Sequence, residues 1–129
     1  MKKYLKAVVS GLCAAALALG CVGCGSSARK VMAYEALMRS DREALRSPAT
    51  IMKLAREQGA LCEIERLTFF KSLETFDHLR SEGLVRRDTM LFINSIASVC
   101  LPREDSEYME SRWHELCRQM VIEITEEEE

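Results

Sequence analysis

Three short apolar runs each carry one hard oxygen ligand, and that pattern constrains this chain more than any other feature. The runs are residues 31–37, 89–94 and 120–125, and their carboxylate or amide members are Glu35, Asn94 and Glu123. Short segments rich in β-branched and aromatic residues read as buried strands. A carboxylate inside such a strand is costly unless something pairs with it. Two carboxylates and an amide at strand ends therefore point to a common partner. Hard divalent cations such as Mg²⁺, Mn²⁺ or Ca²⁺ take this kind of oxygen set.

The segments between these strands predict helices. Ser47-Pro48 offers a hydroxyl N-cap followed by proline at the first helical position, and Gly59 supplies a stop. A second helix follows from Leu61. Leu61, Ile64, Leu67, Phe70, Leu73, Phe76 and Leu79 recur every third residue, which predicts one broad apolar face closed by Gly83. Pro102 to Gln119 reads as a third helix carrying Tyr108, Met109, Trp113 and Leu116. The order is strand, helix, helix, strand, helix, strand. Such alternation implies right-handed crossovers and a parallel sheet, with chemistry at the carboxyl ends of the strands.

Tyr34-Glu35-Ala36-Leu37-Met38-Arg39 resembles the signature of the EAL domain, the cyclic di-GMP phosphodiesterase family with a TIM-barrel fold. Further blocks follow in the family's order. Ser47-Pro48 through Ala55 is similar to the helix after the signature, and Glu63-Ile64-Glu65-Arg66 to the next helix. Leu91-Phe92-Ile93-Asn94-Ser95 resembles the asparagine-bearing strand, and Ile122-Glu123-Ile124-Thr125-Glu126 the acidic strand after it. The resemblance implies that Glu35, Asn94 and Glu123 are ligands of Mg²⁺ or Mn²⁺. It also implies that Leu37 and Arg39 lie on cyclic di-GMP, Arg39 against a phosphate, where a guanidinium offers a planar fork. Strand alternation puts Glu123 and Glu126 on opposite sides, which favours Glu123 as the ligand.

Parts of the family pattern have no counterpart. The family's first strand is missing ahead of the signature, where a leader stands instead. The paired aspartates, the lysine beside the attacking water and the later glutamates are missing beyond the third strand. The expectation is an α/β fold, a partial TIM (β/α) barrel with parallel strands in β-α-α-β-α-β order, incomplete and inactive by itself. An open barrel edge leaves unpaired strand groups, so self-association is expected there.

Residues 1–30 form a separate region ahead of the EAL-like residues 31–129. Lys2, Lys3 and Lys6 precede 22 uncharged residues, 7–28, a basic start and apolar run of the secretory type. Ala18-Leu19-Gly20-Cys21 resembles a bacterial lipoprotein box, with Cys21 as the acylated residue and Cys24 as the alternative. As a cleaved lipoprotein leader or as an uncleaved membrane anchor, this predicts a membrane-associated chain with its domain outside. If the leader is instead a misassigned start, the chain is cytoplasmic, where cyclic di-GMP is made and destroyed.

The net charge of −2 is uneven: residues 1–30 carry five basic groups and no acid, so the rest carries −7. An acidic body argues against a nucleic-acid partner and suits a site that gathers divalent cations. Beyond the leader, Cys62, Cys100 and Cys117 are widely spaced and form no CxxC pair, so neither a zinc site nor a disulfide framework is predicted. Two functions compete: a cyclic di-GMP phosphodiesterase relative, and a non-catalytic membrane-anchored lipoprotein or cyclic di-GMP-binding module on the same fold.

Overall fold

A computed structural model describes the backbone of residues 16–19 and 32–125, with side chains over 32–124. Four strands form one sheet in the order β1-β2-β3-β4. They are β1 (Ala16–Leu19), β2 (Ala33–Leu37), β3 (Met90–Ile96) and β4 (Met120–Thr125). Between β2 and β3 lie α1 (Pro48–Glu57) and α2 (Leu61–Ser81). Between β3 and β4 lie α3 (Arg103–Arg112) and the single turn α4 (His114–Cys117). β2, β3 and β4 are mutually parallel, in the expected β-α-α-β-α-β order.

β1 is an addition to that order. It pairs antiparallel with β2, Ala18 opposite Glu35, within the run that reads as a leader. The expectation that no strand precedes the signature is therefore corrected. Uniform small apolar residues suit a signal core and an edge strand equally, so composition does not separate the two. Cys21 and Cys24, the expected lipidation positions, lie outside the described residues. Cleavage before Cys21 would remove β1 from the sheet. Among the described residues, no helix is long and apolar enough to cross a membrane.

Strand alternation sorts the sheet into two faces. Ala36, Leu91 and Ile93 point to the helices, packing with Phe69, Leu73 and Phe76 of α2 and with Met109, Trp113 and Leu116. Glu35, Asn94 and Glu123 fall on the opposite face. Burying each large apolar side chain stabilises by about 1.5–3 kcal/mol, so the helix face holds the sheet in shape. A second cluster of Leu45, Ile51, Ala55, Ala60 and Ile64 ties α1 to the start of α2.

That division corrects the single face expected for α2. Steps of three residues drift backwards around a helix of 3.6 residues per turn. Leu61 and Ile64 therefore join the α1 cluster, while Phe70, Leu73, Phe76 and Leu79 join the sheet cluster. The third helix is also broken. Trp113, with φ −123° and ψ 39°, separates α3 from α4 and buries its own ring in the core. Ser47 takes the N-cap position of α1 without a side-chain hydrogen bond, leaving Pro48 to set the helix start.

Both glycine stops hold: Gly59 and Gly83 have φ of 66° and 73°. A Cβ at either would meet nothing within 4 Å, so only the backbone conformation resists substitution. Gly83→Ala is expected to destabilise the chain by about 1 kcal/mol, read as a lower urea midpoint at unchanged m-value. No shift would show that the turn relaxes into another conformation.

Candidate functional site

The site residues are placed by where the strands stop. β2 ends at Leu37, and its last register partner on β3 is Ile93, opposite Ala36. β3 continues to Ile96 alongside β4, so Asn94, Ser95 and Ile96 project past the end of β2. Asn94 lies opposite Glu123 in the register with β4. Across the other side, the Asn94 Nδ2 donates a 3.0 Å hydrogen bond to Oε1 of Glu35. The structure thus joins Glu35 and Asn94 directly and sets Glu123 beside Asn94 on the same face.

The carboxylates are less buried than the apolar runs suggest. Glu35 is half-buried and Glu123 is exposed. The premise of three buried strands fails at β4, which lies at a sheet edge. Its helix-side residues Ile122 and Ile124 are 47% and 68% exposed because no described helix covers them.

A cleft of about 340 Å³ opens at the carboxyl ends of β2 and β3. Leu37 and Arg39 line it together with Asn94, Met52, Thr68 and Glu65. Arg39 is exposed and donates from Nη1 to the Met38 carbonyl at 2.8 Å. A guanidinium so placed keeps further N–H groups for an anion. The tripeptide Glu-Ala-Leu recurs at Glu43–Leu45, but there it forms a 3-10 turn away from the sheet. Only the strand copy brings its glutamate to Asn94.

The donor set can be tested against a divalent cation. The bond from Asn94 occupies one carboxylate oxygen of Glu35, and Glu123 adds a second carboxylate next to Asn94. Oxygen donors of this type fit Mg²⁺ or Mn²⁺, and three such donors would leave much of an octahedral shell to other ligands. Among the described residues, no group of three or more His, Cys, Asp or Glu side chains could hold a metal.

Among the described residues, one carboxylate that the strand pattern did not single out is the most buried. Glu65, on α2, is 2% exposed. Its Oε1 accepts from the Ser95 hydroxyl, and its two oxygens accept from the Ile96 N–H at 3.3 and 3.2 Å. Burial pushes its carboxyl above the ordinary 4.5, against the downward pull of the Ser95 and Ile96 hydrogen bonds. The helical period held the signal: Glu65, Phe69, Ser72 and Phe76 share the stripe of α2 that is buried.

The raised value has a pH consequence. Between the unfolded and folded values the native state binds more protons, so stability is full below about 4.5 and falls as pH rises through the folded value. Glutamine cannot titrate. Unfolding free energies measured across pH 4–8 should therefore show wild type losing ground relative to Glu65→Gln as pH rises. Parallel curves would contradict the raised value.

Cys62, Cys100 and Cys117 are free thiols, and burial together with Glu110 pushes the Cys117 thiol up, away from reactivity.

No protein-family model matches the chain, and no curated protein matches it in sequence. Among solved structures it is similar to the 1.55 Å crystal structure of the EAL domain of FimX from Xanthomonas citri, in complex with cyclic di-GMP. The TM-score is 0.59 at 18% sequence identity, over 74% of this chain and 38% of that one. The chain thus spans well under half the length of the structure it matches. The likeness establishes the fold: an open part of a TIM-type barrel in the manner of an EAL domain, with three parallel strands and their helices.

Proposed function

We propose that this chain is an EAL-type module that binds cyclic di-GMP at the carboxyl ends of β2, β3 and β4. In this reading Arg39 meets a phosphate, Leu37 lies against the nucleotide, and Glu35, Asn94 and Glu123 hold Mg²⁺ or Mn²⁺. The observation that carries it is the Glu35–Asn94 hydrogen bond beside a cleft lined by Leu37 and Arg39. The fold that supplies these positions is like that of an EAL domain solved with cyclic di-GMP. A bound cation would polarise a phosphoryl oxygen there.

The chain's own residues divide the work. Arg39 neutralises phosphate charge, and Glu35 and Asn94 fix each other across two strands. The apolar wall of Leu37, Met52 and Ile64 receives the base or ribose faces and excludes water. We place the activity at binding rather than turnover, because among the described residues the cleft holds no histidine or lysine beside these groups. Attachment to a membrane through Cys21, or Cys24 in its place, belongs to the alternative reading, because export would carry the domain away from cytoplasmic cyclic di-GMP. Metabolic labelling with a fatty acid should mark the wild-type chain and not the Cys21→Ala, Cys24→Ala variant.

Isothermal titration with cyclic di-GMP tests the binding claim. Arg39→Ala should weaken affinity by roughly tenfold or more, since a charge-assisted hydrogen bond contributes about 1.5–3 kcal/mol. Equal affinities would remove Arg39 from the site.

A further inference from the structure

The projecting end of β3 lacks the strand that should steady it. Met90 donates its N–H to the Met32 carbonyl on the β2 side, and Leu91 donates to Gln119 on the β4 side. Backbone directions alternate along a strand, so the N–H groups of Phe92, Asn94 and Ile96 also face β2. The rung after Asn94 would join the Ile96 N–H to the Met38 carbonyl. β2 has already ended at Leu37, and the Met38 carbonyl instead accepts the Arg39 guanidinium.

Glu65 takes that rung. Its two carboxylate oxygens receive the Ile96 N–H, and one of them also receives the Ser95 hydroxyl. α2 is rigidly seated here, because Phe69, Leu73 and Phe76 on the same helix are buried in the sheet cluster. Asn94 therefore sits between two fixed points, the β2–β3 ladder on its N-terminal side and the Glu65 carboxylate on its C-terminal side. With Ser95 drawn to the helix face, alternation turns Asn94 to the opposite face, where it meets Glu35.

We infer that Glu65 is the positioning residue of this site: it replaces the missing β2 rung and so holds Asn94 in the pose that reaches Glu35. Glu65 touches no ligand in this role. It acts through the backbone of β3, and its effect on cyclic di-GMP rests on the binding reading above. The placement of Asn94 does not.

The test uses the full chain labelled with ¹⁵N. In Glu65→Ala, the Asn94 side-chain amide signals should move toward their positions in Glu35→Ala, where the bond is cut directly. The Ile96 amide should lose its protection from hydrogen exchange. Cyclic di-GMP affinity should fall roughly tenfold, the usual scale for losing a group that orients a ligand. Glu65→Gln keeps an acceptor for the Ile96 N–H and should restore most of the Asn94 signal and of the affinity.

Ser95→Ala is read in parallel, because it removes one donor to Glu65 without emptying the helix face. It should shift the Asn94 signals in the same direction even if Glu65→Ala fails to fold. Unchanged Asn94 signals in folded Glu65→Ala, or in Ser95→Ala should the former not fold, would overturn the inference. A wild-type chain that binds no cyclic di-GMP would defeat the binding reading, while the amide signals still judge Glu65.

Discussion

Phe76→Ala is expected to bring the chain close to unfolding. Phe76 is fully buried in α2, packs with Leu73, Leu91 and Ile93, and meets the Tyr34 ring edge-on with centroids 6.2 Å apart. Truncating such a ring loses transfer free energy and leaves a cavity, at a cost of about 3–5 kcal/mol. A domain of this size has roughly 5–15 kcal/mol in all. Tyr34 stands next to Glu35 on β2, so the loss reaches the site through the strand that bears it. Urea denaturation followed by circular dichroism measures the effect. A drop under about 1 kcal/mol would mean that the helix layer does not hold the sheet as described.

The second large effect is on rate. Phosphodiester hydrolysis needs an attacking water that is both positioned and activated. In the proposed reading Glu35, Asn94 and Glu123 would fill too little of a six-coordinate shell to fix that water firmly. Glu65, the buried carboxylate in the cleft lining, is committed to Ser95 and Ile96. Missing activation or positioning costs orders of magnitude. With Mn²⁺ present, the 129-residue chain should release linear dinucleotide at the no-protein rate when followed by chromatography. Metal-dependent turnover abolished by Glu35→Ala would contradict this and establish an enzyme.

Much of this architecture could be read from local signals. The apolar runs marked β2 to β4 because they are short and bounded by polar turns, and Gly59 and Gly83 marked helix ends because only positive φ fits there. Glu35 and Asn94 are legible together because each is the one carboxylate or amide of an apolar run in a parallel strand order. What escaped the sequence depends on distant partners. The extension of β3 through Ser95 and Ile96 is held by Glu65, 30 residues earlier. The exposure of Glu123 follows from the place of β4 at the sheet edge, which no local pattern encodes. β1 escaped because Ala16–Leu19 carries no polar alternation to distinguish strand from leader. The break at Trp113 escaped because burial of its ring outweighs continuation of the helix.

A crystal structure of this chain with cyclic di-GMP and Mn²⁺ would test the site most directly. A phosphate is expected within hydrogen-bond distance of Arg39, and a cation contacted by oxygens of Glu35, Asn94 and Glu123. Nucleotide bound away from the carboxyl ends of β2 and β3, with Arg39 and Glu35 untouched, would contradict it.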